Sequence, residues 1–161
     1  AIFDSVTWDD LDFDLWRSIH EVNLDGPFLM AKALVPLMTE NNYGRIVNVV
    51  STSFNMALPI YVAYRSAKMG LVGLTRALAS LGERGITSNC VSPTLTRTPG
   101  AVEANSGNPP LFDVVRNMQS IKVDSIPDDI AYTVMFLTSE DSYWVTGQGI
   151  SADGGMQFSM P

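Results

Sequence analysis

The sequence predicts an α/β fold built on a parallel sheet. Arg45–Val50 is largely apolar, with little alternation of polar and apolar positions, which is typical of a parallel strand covered on both faces. Thr87–Ser92 has the pattern of a second buried strand, and Pro93 ends it. A helical pattern lies between the two, so we expect these strands to pair in parallel through a crossover.

Length and composition indicate a globular chain. The 161 residues, of which 46% are hydrophobic, suffice for a buried core in one domain or a piece of one. Residues 1–161 contain no internal repeat and no linker that would mark a second domain. We therefore expect the whole chain to belong to a single domain.

Charge and the rare residue types exclude several kinds of site. The net charge of −7 argues against nucleic acid as a partner, because no run of Lys or Arg offers a phosphate-binding surface. The one histidine, His20, and the one cysteine, Cys90, lie far apart in the sequence, so no metal site is expected. We interpret Cys90 as a buried core residue.

The N-terminal sequence and the length of the apolar segments predict the cellular location of the protein. The sequence has no apolar run of transmembrane length and nothing that resembles a signal peptide. We therefore expect a cytoplasmic protein with no membrane partner. The chain begins at Ala1, not at methionine, which suggests a truncated sequence.

Two helical patterns with a break between them come first. The acidic run Asp9–Asp14 leads into a helix with apolar residues at helical spacing, namely Leu15, Trp16, Ile19 and Val22. The pattern resumes after Gly26-Pro27 as Phe28–Met38, so Asn23 lies near a kink. Its amide either holds a water against a carbonyl freed by the kink or satisfies that carbonyl itself, and spacing favours neither.

A third helical pattern follows the first strand. It runs from Tyr61 to Leu81 and stops around Gly82–Gly85. Tyr64 and Lys68 are four residues apart, so they share one face of this helix. A nearby ammonium favours the phenolate, which lowers the tyrosine pKa towards the range of a general acid or base.

The context of this pair makes it a candidate site. Tyr-x-x-x-Lys alone is too common to carry an argument. Here, however, Ser51 directly follows the strand Arg45–Val50, and open α/β sheets place their sites at the carboxyl ends of strands. The Ser51 hydroxyl is suited to orient a substrate oxygen beside Tyr64. Tyr61 has no lysine four residues later, so we interpret it as a packing or substrate-pocket aromatic.

The remainder of the chain predicts a long loop, a helix and a short strand. Residues 94–125 are rich in Pro, Gly, Asn and Ser, with an amphipathic piece at Leu111–Met118, and loops of that length are usually lids or binding loops. Pro127 suits the start of a helix. A short strand between glycine turns is expected within Val145–Gly155.

These residues resemble the classical short-chain dehydrogenase/reductase family across essentially the whole chain. Ser51, Tyr64 and Lys68 stand at the catalytic spacing of that family, within GRIVNVVS and YRSAKMGLVGLTRALA. Asn23 in VNLDGPF matches its fourth catalytic residue, and VTGQGISADGG resembles its closing segment. More narrowly, FLMAKALVPLM, SPTLTRT and LFDVV are similar to (S)-1-phenylethanol dehydrogenase-like members.

The resemblance implies a Rossmann-like, doubly wound parallel sheet that binds NAD or NADP. It also implies a reversible hydride transfer between nicotinamide and a secondary alcohol or ketone. Tyr64 would exchange the proton of the substrate oxygen, and Ser51 would hydrogen-bond that oxygen. Lys68 would lower the pKa of Tyr64 and bind the nicotinamide ribose, and Asn23 would keep a water in the proton relay behind Lys68.

The same resemblance implies the surroundings of the cofactor and the substrate. Pro93, Thr96 and Thr98 of SPTLTRT would border the nicotinamide, and the loop at about 94–125 would cover the substrate. An alkyl-aryl substrate pocket is suggested by Phe54, Met56, Tyr61, Phe112 and Met118.

This chain also departs from the family pattern. The glycine-rich phosphate turn and the residue that selects NAD or NADP would lie upstream of Ala1, so the chain corresponds to the C-terminal half of the fold. Pro93-Thr94 stands where the family has Pro-Gly, and Ser88 occupies a normally apolar place.

Two hypotheses of different kinds follow. In the first, the chain is the catalytic part of an NAD(P)-dependent alcohol dehydrogenase or carbonyl reductase. In the second, it is a non-enzymatic fragment that acts through association with other subunits. Members of the family are generally homodimers or homotetramers built on two long helices, here Phe28–Glu40 and Tyr64–Leu81.

Overall fold

A three-stranded parallel sheet forms the centre of the fold. The computed structural model describes residues 5–106 and 110–157. The strands are β1 (Gly44–Val49), β2 (Ile86–Pro93) and β3 (Gly149–Ala152), and they lie side by side in that order. β1 and β2 pair from Gly44 opposite Ile86 to Val49 opposite Val91, and β3 pairs with the second half of β2. The predicted parallel sheet and the short strand near the end of the chain are confirmed.

Helices cover the sheet and lead into it. Their bounds are α1 (Phe13–His20), α2 (Gly26–Glu40), α3 (Val62–Leu78), α4 (Pro99–Ala104), α5 (Leu111–Met118) and α6 (Pro127–Thr138). Short 3₁₀ turns follow β1, α3 and α6, at Thr52–Asn55, Ala79–Arg84 and Glu140–Ser142. The segment predicted as a long loop, 94–125, is therefore partly helical, and its residues 107–109 lie outside the described ranges.

The kink predicted near Asn23 is a π-helical turn. Glu21–Asp25 joins α1 to α2 in that conformation. Pro27 follows in the first turn of α2, and because proline has no N–H it cannot donate to the carbonyl four residues before it. The hydrogen-bonding pattern therefore widens locally instead of continuing as one straight helix.

The end of α3 depends on a glycine. The 3₁₀ turn after α3 ends at Gly85, which has φ of +71°. A Cβ there would lie 2.1 Å from the backbone oxygen of Asn42, so another residue would be strained by its φ and would also clash. The predicted stop around Gly82–Gly85 is confirmed, and this turn leads the chain directly into β2.

The core lies between β2 and α3. β2 is buried over its whole length except at Pro93. Cys90 forms a buried cluster with Val50 and Leu71, which confirms Cys90 as a core residue. This packing fixes α3 against the carboxyl-terminal end of β1.

Other apolar faces remain open to solvent in the described ranges. α2 has no buried residue, and several of its large side chains are about half exposed, namely Phe28, Leu29, Met30 and Leu37. Among the described strands, β1 is paired with β2 alone. The expected oligomer through α2 and α3 stays a prediction.

Two buried serines provide a matched test of the core. Ser88 and Ser142 are both 0% exposed. Ser142 Oγ donates to the carbonyls of Leu137 and Ser139, whereas Ser88 Oγ forms no hydrogen bond with any described residue. The departure noted at Ser88 in the sequence thus places an unsatisfied hydroxyl in the core.

Opposite effects are expected from replacing these serines with alanine. Ser88→Ala should raise the free energy of unfolding by about 1 kcal/mol, because a buried hydroxyl without a partner is costly. Ser142→Ala should lower it by a similar amount, about 1 kcal/mol, because satisfied hydrogen bonds are lost. Urea denaturation of both variants measures the two changes, and a loss of stability in Ser88→Ala would contradict this account.

Candidate active site

The carboxyl ends of the strands bring the candidate residues to one edge. Because β1 and β2 run parallel, Val50-Ser51 and Pro93-Thr94 leave the sheet side by side. Thr52 Oγ1 donates to the Pro93 carbonyl at 3.2 Å, which ties the two exits together. The closing segment joins them, since Gln157 Nε2 donates to the Thr52 carbonyl at 3.1 Å.

Ser51 and Tyr64 meet although thirteen residues separate them in sequence. Ser51 has an extended backbone and begins the 3₁₀ turn Thr52–Asn55, while Tyr64 lies in the first turn of α3. Their side chains are hydrogen-bonded. Burial raises the pKa of the Tyr64 phenol, and the hydrogen bond from Ser51 partly offsets this rise.

Lys68 lies one turn further along α3. Its Nζ is 5.6 Å from the centroid of the Tyr64 ring and donates to the Val49 carbonyl at 2.9 Å. The side chain is 8% exposed, and burial lowers the pKa of the ammonium.

The expected fall in the pKa of Tyr64 is therefore wrong for this structure. Desolvation of the phenol is the dominant influence on that pKa, and it acts in the opposite direction. The Lys68 ammonium lies over the ring and bonds to β1, so it is not directed solely at the phenol oxygen. The predicted proximity of the two side chains is nevertheless present.

Asn23 lies behind this pair, in the π-helical turn. It is 2% exposed, and its Nδ2 donates to the Ile19 carbonyl at 2.9 Å. Its amide thus bonds a backbone carbonyl directly, and its expected role in holding a water stays a prediction. The turn packs against α3 at Gly70, where a Cβ would lie only 3.0 Å from Leu24.

The loop after β2 holds the expected nicotinamide-bordering residues. Thr96 Oγ1 donates to the Thr94 carbonyl at 3.1 Å and lies 3.3 Å from Ser125 Oγ. Thr98 caps α4, because its Oγ1 accepts a hydrogen bond from the Ala101 N–H at 3.1 Å. Local hydrogen bonds therefore fix the side chains of both threonines within the segment that follows β2.

An ion-pair network that sequence reasoning missed connects this loop to α5. Asp124 accepts from Arg97 at 2.7 Å and from Arg116 at 3.0 Å. The hydrogen bond from Arg97 is the largest influence lowering the pKa of the Asp124 carboxyl. Arg116 also pairs with Asp113, three residues before it on α5, and that spacing was the available sequence signal.

The three aromatic residues expected to contact substrate lie in or next to three different elements of the described chain. Phe54 lines a cavity of about 580 Å³ along α3, together with Val62, Arg65, Ser66, Met69 and Gly70. Tyr61 has a left-handed backbone, with φ of +63°, just before α3. Phe112 is buried, and the Arg97 guanidinium lies 4.3 Å from its ring centroid.

The part of the chain that the structure describes has neither a cluster of metal ligands nor a membrane-spanning helix. Within residues 5–106 and 110–157, no group of three His, Cys, Asp or Glu side chains is placed to hold a metal ion. Across the same ranges, no helix combines the length and apolar character needed to cross a membrane.

Comparison with known proteins gives relatives among dehydrogenases. A family model described as Enoyl-(Acyl carrier protein) reductase matches residues 3–157. The (2S)-[(R)-hydroxy(phenyl)methyl]succinyl-CoA dehydrogenase subunit BbsD of Thauera aromatica is 42% identical over 141 residues, which cover 87% of this chain and 55% of that relative. The chain thus spans little more than half the length of this relative.

Solved structures show the same architecture. An oxidoreductase of the short chain dehydrogenase/reductase family from Burkholderia thailandensis superposes with a TM-score of 0.90 at 30% identity, over 97% of this chain and 61% of that one. A 4-hydroxyisoleucine dehydrogenase mutant complexed with NADH and succinate gives 0.88 at 30% identity, over 97% and 65%. A gluconate 5-dehydrogenase from Burkholderia cenocepacia J2315, in complex with NADP and tartrate, gives 0.90 at 26% identity, over 97% and 61%.

The comparisons agree with the fold and the motifs. The matched region runs through the whole sheet, the π-helical turn and the Ser51-to-Lys68 stretch. The parallel strands and their flanking helices form part of a Rossmann-like fold. The chain belongs to the short-chain dehydrogenase/reductase family of oxidoreductases.

Proposed function

We propose that this chain supplies the catalytic part of an NAD- or NADP-dependent enzyme that transfers hydride between nicotinamide and a secondary alcohol or ketone. One observation carries the proposal. Ser51 is hydrogen-bonded to Tyr64, with Lys68 one helical turn away, at the carboxyl edge of a parallel sheet. This edge is where open α/β sheets bind their ligands.

The donors at this edge fit the nicotinamide end of a dinucleotide. Lys68 has three N–H donors and gives one to the Val49 carbonyl. The two others are suited to ribose hydroxyls, while Pro93, Thr96 and Thr98 border the same space. When bound, the nicotinamide ring supplies the site that accepts or releases hydride.

Tyr64 holds and moves the proton of the substrate oxygen in this proposal. Because burial raises its pKa, the phenol stays protonated at neutral pH and can donate to a carbonyl oxygen during reduction. Oxidation needs the phenolate and is therefore favoured by alkaline pH. When Tyr64 is a neutral phenol, Ser51 donates its single hydroxyl proton to the same substrate oxygen, and Asn23 keeps a water in the relay behind Lys68.

An aryl-substituted secondary alcohol is the substrate class that we favour. The name of the Thauera aromatica relative describes a hydroxyl carbon that carries a phenyl group. Phe54 borders an open cavity beside α3, and Tyr61 precedes the helix that carries Tyr64. Phe112 would contribute through the segment 94–125 that covers the substrate.

The non-enzymatic fragment remains the second candidate. It is favoured by the apolar side chains exposed on α2 and by the single strand neighbour of β1, because open sheet edges and apolar faces promote association. For the full-length form, in contrast, we propose a homodimer or homotetramer through α2 and α3, located in the cytoplasm.

Replacing Tyr64 with phenylalanine tests the proposed chemistry. The assay uses the completed chain, defined as residues 1–161 joined to the segment that precedes the matched region in the Thauera aromatica relative. Tyr64→Phe should reduce turnover of a 1-arylethanol by at least about a hundredfold, because general acid–base catalysis contributes that much. Tyr132→Phe, at an exposed position of α6, is the matched control and should retain activity. Turnover by Tyr64→Phe at the unsubstituted rate would refute the assignment.

The burial of Lys68 predicts how the stability of the chain depends on pH, and this prediction can be tested without an activity assay. Burial holds the folded-state pKa of Lys68 below its ordinary value of 10.5, so just below pH 10.5 the unfolded chain binds more protons than the folded one. The stability of the unsubstituted chain should therefore rise, relative to Lys68→Met, as pH increases from about 7 to about 10.

Urea denaturation across this pH range measures the difference between the two chains. Lys32→Met, at an exposed position of α2, controls for the loss of one charge. The compared quantity is the free energy of unfolding of the unsubstituted chain minus that of Lys68→Met. If this value stays constant or becomes more negative with rising pH, the Lys68 ammonium is not desolvated as described.

A further inference from the structure

A second serine lies against Ser51 in the 3₁₀ turn. Ser53 Oγ is 2.9 Å from Ser51 Oγ, and the Ser53 N–H donates to Ser51 Oγ at 3.2 Å. The backbone and the side chain of one residue thus both contact the hydroxyl that is bonded to Tyr64.

The capacity of a serine hydroxyl limits how these bonds can be arranged. Ser51 Oγ has one proton to donate and two lone pairs that accept. The Ser53 N–H occupies one lone pair. When Tyr64 is a phenolate it has no proton to give, so Ser51 must donate its own proton to the phenolate oxygen. The remaining lone pair of Ser51 then accepts the hydroxyl proton of Ser53.

We propose that Ser53 is a positioning residue that fixes Ser51 as a donor toward the proton-transferring tyrosine. The hydrogen bonds run in one direction, from Ser53 to Ser51 to Tyr64. A chain of this kind strengthens each of its members, and the bond that ends on the phenolate is charge-assisted. This role rests on the proposed function, because it concerns the base that takes the proton of the alcohol.

Removing the Ser53 hydroxyl should therefore make the phenolate harder to form. Without the Ser53 hydroxyl, one lone pair of Ser51 loses its hydrogen-bond donor. The series of hydrogen bonds that stabilises the phenolate is then shorter by one. The neutral phenol loses less, because its hydrogen bonds are not charge-assisted. The described charged group at the ring, the Lys68 ammonium, is the same in every variant at this position.

An isosteric pair isolates the hydroxyl. Ser53→Thr keeps a hydroxyl, and Ser53→Val has the same shape without one. The 161-residue chain is labelled with 3-fluorotyrosine, whose phenol is more acidic than that of tyrosine, and the resonance of position 64 is assigned from its loss in Tyr64→Phe. Titration by ¹⁹F NMR then reports this phenol directly.

The expected result is an upward shift of the position-64 midpoint by roughly half to one pH unit in Ser53→Val, corresponding to one lost hydrogen bond. Ser53→Thr should restore the original midpoint. Ser80→Ala, an exposed serine that donates to the Ala77 carbonyl, is the control and should leave it unchanged. In the completed chain, the pH profile of kcat/KM for alcohol oxidation should shift upward in Ser53→Val and not in Ser53→Thr.

Two results would overturn the inference. The midpoint in Ser53→Val could equal that of the unsubstituted chain or lie below it, or Ser53→Thr could shift it as much as Ser53→Val does. Neither result depends on turnover, so the titration separates this inference from the proposed function. If the midpoint shifts as expected but the completed chain lacks dehydrogenase activity, the hydrogen-bond direction stands and the proposed function fails.

Discussion

The parallel register of β1 and β2 is the constraint on which the site depends. It places the exits of both strands next to each other, so that Ser51 and Pro93 begin their loops at one edge. A register shift of one residue would turn the side chains of β1 to the opposite face and would break the bond from Thr52 to the Pro93 carbonyl. Position in the sheet, and not proximity in sequence, assembles this edge.

Packing against that sheet then orients the chemistry. The cluster of Val50, Leu71 and Cys90 fixes α3 over the end of β1, which brings Tyr64 to Ser51 and Lys68 to the Val49 carbonyl. The same burial has an electrostatic consequence, since it opposes both the phenolate and the ammonium. The phenolate of Tyr64 and the ammonium of Lys68 are therefore both disfavoured by burial. A bound ligand that forms hydrogen bonds with either group would make its charged form easier to reach.

Much of this arrangement was predictable from the sequence because it follows local rules. The strand positions, the kink before Pro27 and the stop at Gly85 each depend on the chemistry of one residue or on a short period. The spacing of Tyr64 and Lys68 likewise predicts a shared helix face. The position of Ser51 directly after a buried strand indicated its place beside Tyr64, and the family resemblance implied its catalytic role.

Other features depend on contacts between distant segments and could not be read from spacing. The pKa of Tyr64 rises because of burial, which no local pattern reveals. The bond from Arg97 to Asp124 joins residues 27 positions apart, and α4 forms within a segment whose composition predicts a loop. Such contacts are set by tertiary packing, which overrides local propensity.

Binding of the nicotinamide cofactor tests the central claim most directly. The proposal is that the carboxyl edge described above holds the nicotinamide end, while the segment added in the completed chain supplies the phosphate-binding part. Calorimetry with NADH and NADPH should therefore show firm binding to the completed chain and weak or no binding to the 161 residues alone. Equal affinity of both proteins, or no binding by the completed chain, would contradict the account.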